Sequence, residues 1–150
     1  SESSGYLGIA GGQYLDLRYK KKKVSRNQII EMEIKKTGKL FSFCCAAPAI
    51  IKKRERKEIK FFENIGSNIG LLFQIADDLI DFKGDSKKAG KKTGKDQKKG
   101  KATLISLLGY SNAINYCDKI ILDVNKSLEM YGSNSKNIKE TLYYILNRDK

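Results

Sequence analysis

The segment from Gly70 to Asp81 reads Gly-Leu-Leu-Phe-Gln-Ile-Ala-Asp-Asp-Leu-Ile-Asp and combines an apolar stripe with a dense acidic cluster. At about 100° per residue, Gln74 and the three aspartates fall within an arc of about 100° on one face of a helix. Carboxylates on one rigid face suit a hard cation such as Mg²⁺, which takes oxygen ligands and usually bridges to substrate phosphates. The segment therefore indicates metal–phosphate chemistry at Asp77, Asp78 and Asp81.

The alternative is that these aspartates are only the solvated face of an amphipathic helix. Apolar residues recur at helical spacing through the surrounding stretch 57–82 and lie opposite the acids. Against this alternative, Asp is a poor helix former, and a helix that ends near Phe82 places the aspartates in its last turn, where the macrodipole disfavours negative charge. A local rule that is broken repeatedly within one turn favours a functional site.

Composition limits the class of protein. With 150 residues, 40% of them apolar, the chain suits a single folded domain with a real core. The longest charge-free apolar run, Leu40 to Ile51, is too short to cross a bilayer, and the first residues lack a signal-peptide pattern. Because there are three cysteines and no histidine, a typical zinc site is excluded. Cys44 and Cys45 are expected to be buried thiols of a reducing compartment, which favours the cytoplasm.

The formal net charge of +13 raises the alternative of a nucleic-acid-binding protein. However, only five of the 30 basic residues are Arg, the residue that forks onto bases and phosphates. No helix-turn-helix, zinc-finger or RNA-recognition pattern is present in the sequence. We therefore expect no nucleic-acid partner, and a steep salt dependence of binding to random DNA would contradict this expectation.

Helical periodicity and the scarcity of turn residues predict an all-α protein. Ser25 and Gln28 have the spacing of a capping box, and Pro48 is expected to end or kink the helix that follows. Gly66 and Gly70, one turn apart, would let a neighbouring helix approach closely. We expect a basic loop at 18–23, a second loop at 82–100, and helices at about 6–17, 25–47, 57–82, 101–109, 111–131 and 135–146.

The Lys- and Gly-rich stretch after the acidic helix is similar to a Walker A loop only superficially. Gly94 and Gly100 enclose five residues instead of four, Ala102 follows Lys101 where Ser or Thr is required, and no strand precedes them. A flexible, solvated loop is the simplest alternative. Beside the aspartates, however, several lysines and a helix start near Thr103, where N–H groups favour phosphate, indicate a metal–diphosphate substrate.

Short motifs occur in the order Gly11 to Leu17 (Gly-Gly-Gln-Tyr-Leu-Asp-Leu), Lys36 to Gly38 (Lys-Thr-Gly), Gly70 to Asp81, Gly90 to Asp96 (Gly-Lys-Lys-Thr-Gly-Lys-Asp) and Gly100 to Thr103 (Gly-Lys-Ala-Thr). In this order they resemble the motifs of trans-isoprenyl diphosphate synthases, most closely the bacterial farnesyl (geranyl) diphosphate synthases. The acidic segment is similar to the second aspartate-rich motif of that family. The resemblance covers about residues 5–148 and implies an all-α isoprenoid synthase fold, with helices around a deep cavity.

The resemblance also implies an activity. Short-chain prenyltransferases of isoprenoid biosynthesis condense an allylic diphosphate with isopentenyl diphosphate. In that family Mg²⁺ bridges two aspartate motifs and the allylic diphosphate, whose ionisation gives an allylic carbocation. The metal and the lysines stabilise the departing diphosphate, which is an electrostatic role more than an acid–base one. The family further implies that the intact protein is a homodimer.

Site residues follow position by position from the same resemblance. Asp77 and Asp78 would ligate Mg²⁺, and Asp81 would either ligate the metal as well or support the other two aspartates. The diphosphate would contact Lys36, Thr37, Lys101 and either Lys91 or Lys92, because the alignment of the loop leaves these last two open. Gln13 and Asp16 are expected to be supporting or packing groups. The implied catalytic set is Lys36, Thr37, Gln74, Asp77 and Asp78.

The chain contains a single Asp-Asp-x-x-Asp motif, whereas the family carries a first one, followed by an Arg pair, on an earlier helix. We therefore expect residues 1–150 to be the C-terminal half of one all-α synthase domain, without the N-terminal half that holds the first motif. The intact protein is expected to be an enzyme, and this chain alone to be inactive. The alternative is a non-catalytic or degenerate helical subunit that binds a synthase partner.

Overall fold

The computed structural model describes residues 1–88 and 102–148, which form helices joined by short turns. No strand occurs among these residues, so the all-α prediction is confirmed. The chain divides into two compact units, Ser1–Leu71 and Leu72–Lys150. No helix in the described ranges is both long and apolar enough to cross a membrane.

The first unit contains α1 (Ile9–Tyr19), α2 (Arg26–Glu33), a π-helical turn (Ile34–Gly38), α3 (Lys39–Ile51) and the beginning of α4 (Arg56–Lys88). The second unit contains the rest of α4, α5 (Leu104–Leu108), α6 (Tyr110–Ser127), a 3₁₀ segment (Glu129–Ser135) and α7 (Lys136–Asn147).

The predicted capping box at the start of α2 is confirmed. The Ser25 hydroxyl accepts the Gln28 backbone N–H at 3.3 Å, and the Ser25 backbone N–H donates to the Gln28 side chain at 2.8 Å. These bonds satisfy two of the donors that every helix start leaves open. The helical path then continues to Ile51, but it passes through a π-helical turn at Ile34–Gly38 that the periodicity did not predict.

Pro48 does not end the second predicted helix, because α3 continues to Ile51. Proline lacks a backbone N–H donor, and this loss is costly in the middle of a helix but tolerable close to its end. Its φ is fixed near the helical value, so it does not by itself force the chain out of the helix. Here the backbone N–H of Lys52 still donates to the Pro48 carbonyl at 3.0 Å. The chain turns away only at Lys53, whose φ of 51° lies in the left-handed region typical of a helix end.

Gly66 and Gly70 allow the close approach that their spacing predicted. A Cβ atom at residue 66 would lie 2.4 Å from the carbonyl oxygen of Phe41, and one at residue 70 would lie 2.6 Å from the Cα atom of Gly38. Because no side chain fits at such distances, glycine is required where α4 meets α3 and the π-helical turn. Nearby apolar side chains form the core of the first unit: Ile29, Met32, Ala46, Ala49, Ile65, Ile69 and Leu71.

The acidic helix is longer than predicted. Helix α4 continues to Lys88, so the expectation of a helix end near Phe82 and a loop from there is wrong for residues 83–88. The remaining loop residues, 89–101, lie outside the described ranges. Once a helix has formed, each added residue costs little, and Lys83, Lys87 and Lys88 are good helix formers that offset Gly84. Asp77 to Asp81 therefore lie inside the helix rather than in its last turn, and the macrodipole argument for a site does not hold.

The later helices of the second unit lie close to their predicted positions. Thr103 caps α5 by accepting the Ser106 backbone N–H at 3.1 Å. Helix α6 ends at Ser127, earlier than expected, because the chain tightens into the 3₁₀ segment, where Gly132 has a φ of 51°. The buried apolar residues of this unit are Leu72, Ile75, Ala76, Leu79, Leu104, Ile105, Ala113, Cys117, Ile120, Ile121, Val124, Leu128, Leu142 and Ile145.

The cysteines differ from one another. Cys44 is exposed and Cys45 half-buried, so the expectation of two buried thiols is wrong for Cys44 and only partly met by Cys45. Its position on α3 faces away from the core of the first unit. Cys117 is buried, and burial raises the pKa of its thiol to about 12.

Candidate functional site

The aspartate face of α4 belongs to the second unit. Asp78 is buried, with 7% of its surface exposed, whereas Asp81 is exposed and Gln74 is half-buried. The Asp77 side chain is 44% exposed. The apolar stripe of the same stretch is buried, including Leu72, Ile75, Ala76 and Leu79. The helix thus fixes one set of side chains in the core and presents the carboxylates of Asp77 and Asp81 on another side, while that of Asp78 is buried.

Asp77 is paired with an arginine that the sequence did not single out. The guanidinium Nη2 of Arg148, at the end of α7, donates to Oδ1 of Asp77 and forms an ion pair with it. The guanidinium carbon also lies 4.5 Å from the centroid of the Phe73 ring, one helical turn before Asp77. The Arg148 side chain is only 18% exposed. A contact across 71 residues gives no local signal, so periodicity and motif spacing could not find it.

The aspartates could supply part of the ligand shell of a Mg²⁺ ion. In the ranges that the structure describes, no three His, Cys, Asp or Glu side chains come together closely enough to hold a metal ion. The donor chemistry is nevertheless suitable, because Mg²⁺ is usually bound through one or two carboxylates, with water and substrate phosphates completing its shell. A cationic group, the guanidinium of Arg148, already lies on Asp77. This face therefore attracts positive charge.

Lys36 lies in the π-helical turn of the first unit, and Asp16 of α1 holds its side chain. Lys36 Nζ donates to Asp16 Oδ2 at 2.6 Å, with side-chain exposures of 25% for Lys36 and 10% for Asp16. A Cβ atom at Gly12 would lie 2.2 Å from the backbone nitrogen of Lys36, so the glycine is what lets α1 approach the turn. The two upstream motifs therefore form one packed arrangement.

The π-helical turn contains Lys36, Thr37 and Gly38, the whole Lys-Thr-Gly motif. Single π-turns inside α-helices are rare and occur frequently at functional sites. Thr37 is half-buried and Gly38 is buried. The sequence predicted an ordinary helix here, and no residue type signals the extra residue of the turn.

The predicted residues are distributed over both units. Lys36 and Thr37 belong to the first unit, whereas Gln74, Asp77, Asp78 and Asp81 belong to the second. Lys91, Lys92 and Lys101 lie outside the described residues. Gln13 is exposed on α1. Arg148 and the π-helical turn are the features of the candidate site that sequence reasoning missed.

A groove of about 480 Å³ lies within the second unit. Ala76, Leu79 and Ile121 line it together with Lys83 and Gly84. At about 100° per residue, Gly84 lies close to the Asp77 side of α4, so the groove extends toward the aspartate face.

The family model described as Polyprenyl synthetase matches residues 3–145. The chain therefore belongs to the polyprenyl synthetase family, and the resemblance predicted from its motifs is confirmed. It is 31% identical over 150 residues to a farnesyl diphosphate synthase of Micrococcus luteus. The aligned region covers 100% of this chain and 52% of that protein. The chain spans about half the length of the curated relatives it matches.

Solved structures agree with this assignment. The apo structure of an FPP/GFPP synthase from Zymomonas mobilis is similar with a TM-score of 0.80 and 33% identity, over 96% of this chain and 47% of that one. A geranyltransferase from Helicobacter pylori, solved in complex with magnesium and isoprenyl diphosphate, is similar with a TM-score of 0.75 and 28% identity, over 99% and 48% of the two chains. The fold is the all-α fold of the isoprenoid synthases.

Proposed function

We propose that this chain is the C-terminal part of a short-chain trans-prenyltransferase, which joins an allylic diphosphate to isopentenyl diphosphate with the help of Mg²⁺. The observation that carries the proposal is the set of carboxylates on one face of α4, where Asp77 already holds a cationic group. The Helicobacter pylori relative solved with magnesium and isoprenyl diphosphate supports the same chemistry.

In the proposed reaction, the carbon–oxygen bond of the allylic diphosphate breaks and its electron pair leaves with the diphosphate. The double bond of isopentenyl diphosphate attacks the resulting allylic cation and forms the new carbon–carbon bond, and loss of a proton restores a neutral alkene. Bound Mg²⁺ would supply charge neutralisation for the leaving diphosphate. Asp77 and Asp78 would hold that charge in place, with Asp81 as a further ligand or support.

Lys36 and Thr37 would bind the diphosphate through charge and a hydroxyl donor. Lys36 suits this role because Asp16 holds its ammonium group at 2.6 Å, which reduces the freedom that a flexible lysine would lose on binding. Gln74 would line the same site. Lys101 and one of Lys91 or Lys92 are proposed as further diphosphate ligands from the sequence match alone.

The intact protein is proposed to be a cytoplasmic homodimer, and the 150-residue chain alone to be inactive. The sequence contains a single Asp-Asp-x-x-Asp motif, so this chain supplies one aspartate motif where the proposed mechanism uses two. A non-catalytic subunit that binds a synthase partner is the second candidate, and the same observation favours it. Co-purification with a full-length relative would support that candidate.

Binding of pyrophosphate in the presence of Mg²⁺ tests the proposal on the chain as it is. Titration calorimetry should give a Mg²⁺-dependent affinity for pyrophosphate that falls at least about tenfold in Asp78→Asn, because a charged hydrogen-bonding or metal-binding partner is lost. Asp123→Asn, an exposed aspartate on α6, is the matched control and should bind as the wild type does. Equal affinities in the two variants would contradict the proposed site.

Turnover is the companion measurement. The chain alone, given geranyl diphosphate, radiolabelled isopentenyl diphosphate and Mg²⁺, should form no farnesyl diphosphate. Product formation would contradict the prediction of inactivity while supporting the enzyme class.

A further inference from the structure

Arg148 makes two contacts that are typical of a tertiary link rather than of a surface ion pair. Its guanidinium donates to Asp77 and lies 4.5 Å from the centroid of the Phe73 ring. Only 18% of its side chain is exposed. The contact brings the end of α7 onto the aspartate face of α4. An arginine held by a carboxylate and an aromatic ring loses little further freedom, so the pair is well ordered.

We propose that Arg148 is a positioning residue that occupies Asp77 while the aspartate face is free of metal, and that a divalent cation binds there only when Arg148 releases it. The inference rests on the proposed function, because it takes Asp77 as a metal ligand. It adds a competition between an internal cation and the metal for one carboxylate.

The physical reason for such an occupant is the repulsion among the acids. Asp77 and Asp81 are one helical turn apart, and like charges at this spacing destabilise a helix. A guanidinium on Asp77 offsets that repulsion. It also keeps the Asp77 carboxylate fixed on α4 in the absence of metal, so that the carboxylate is already oriented when metal arrives.

The same contact lowers the apparent affinity for metal. A divalent cation ligated by either oxygen of Asp77 would lie close to the guanidinium on Oδ1, and the repulsion between these like charges favours breaking the ion pair when metal binds. By linkage, the metal loses as much affinity as the broken contact had contributed to the metal-free state. For a partly buried charged pair, we expect this loss to make the dissociation constant of the metal roughly three- to tenfold larger.

The test compares Mn²⁺ binding and stability in the 150-residue chain. Arg148→Gln should bind Mn²⁺ roughly three- to tenfold more tightly than the wild type, as measured by electron paramagnetic resonance. The same variant, free of metal, should melt at a lower temperature. Arg54→Gln breaks an exposed pair with Glu58 in the first unit and is the matched control, with unchanged Mn²⁺ affinity expected.

If Arg148 competes with the metal, Arg148→Gln should bind Mn²⁺ more tightly and also melt at a lower temperature. A merely structural Arg148 would lower the melting temperature and leave Mn²⁺ affinity unchanged or weaker, which would overturn the inference. If Arg148→Gln fails to fold, Arg148→Lys keeps the charge but loses the fork and the ring contact, and it should tighten Mn²⁺ binding by a smaller factor. The wild type gives an independent readout, because Mg²⁺ should shift the NMR resonance of Arg148 Nε–H; an unmoved resonance at saturating Mg²⁺ would also overturn the inference.

Failure of the inference and failure of the proposed function give different results. If Asp78→Asn weakens Mn²⁺ binding while Arg148→Gln leaves it unchanged, the metal face stands and only the competition is wrong. If Asp78→Asn leaves Mn²⁺ binding unchanged, or if the wild type binds no Mn²⁺, both are wrong.

Discussion

Each unit of the chain contains a carboxylate–cation pair between residues distant in sequence, Asp16–Lys36 in the first and Asp77–Arg148 in the second, and the two pairs have opposite polarity. In the first unit the carboxylate is the better buried partner, with Asp16 10% and Lys36 25% exposed. In the second unit the cation is better buried, with Arg148 18% and Asp77 44% exposed. The more exposed group is a cation in the first case and an anion in the second.

This difference indicates which group of each pair is available to a ligand. A buried charge is costly unless it is paired, so the buried partner is tied to its position and holds the exposed one. Asp16 thereby presents an ammonium group, which suits a phosphate, and Arg148 presents a carboxylate, which suits a metal.

The largest effect should come from separating α1 from the π-helical turn. In Gly12→Ala the new Cβ would lie 2.2 Å from the Lys36 backbone nitrogen, and overpacking of this kind should cost about 3 kcal/mol of unfolding free energy. The Asp16–Lys36 pair should be lost with it. Urea denaturation measures the change in free energy.

Gly84→Ala is the control for that substitution. No atom lies within 4 Å of the Cβ position at Gly84 in α4, so alanine should stabilise the helix by roughly 0.5–1 kcal/mol. Equal effects of the two substitutions would show that Gly12 is not needed for the approach of α1.

The second effect comes from breaking the Asp16–Lys36 pair without moving backbone. Asp16→Asn leaves the Lys36 ammonium group beside a neutral amide, which should cost about 2 kcal/mol, the usual worth of a hydrogen bond to a charged group in a partly buried position. Glu31→Gln is the control, because Glu31 and Lys35 form an i,i+4 pair at 2.8 Å whose carboxylate is 56% exposed, in contrast to the 10% of Asp16. It should cost about 0.3–0.5 kcal/mol. If both variants lost similar unfolding free energy, the Asp16–Lys36 pair would contribute no more to stability than the Glu31–Lys35 pair does.

Local sequence predicted those features whose causes are local. The Ser25–Gln28 capping box depends on residues three apart, and the one-turn spacing of Gly66 and Gly70 places both glycines on one face of α4, where a neighbouring helix can approach. The spacing of Gln74 to Asp81 likewise places the acids on one face. These were predictable because each depends on side chains within one turn of helix.

The remaining features depend on contacts that spacing does not encode. Lys36 and Asp16 are 20 residues apart, and Asp77 and Arg148 are 71 apart. The π-helical turn at Ile34–Gly38 lies inside a continuous helical pattern, and α4 continues to Lys88 although Gly84 favours a helix end. Resemblance to a family predicted roles for Lys36 and Asp77, but it named neither residue's partner.

The smallest change in unfolding free energy should come from removing the Phe73 ring beside Arg148. This substitution tests whether the ring helps to hold the Arg148 guanidinium in place. Phe73→Leu keeps an apolar side chain but removes the cation–π contact, which should cost roughly 0.5–1 kcal/mol. The same substitution in an Arg148→Gln background should cost less, because no cation remains for the ring to attract. A double-mutant cycle by urea denaturation isolates that coupling. With a coupling near zero, the ion pair to Asp77 alone would hold Arg148, and the second unit would differ from the first only in the sign of the presented charge.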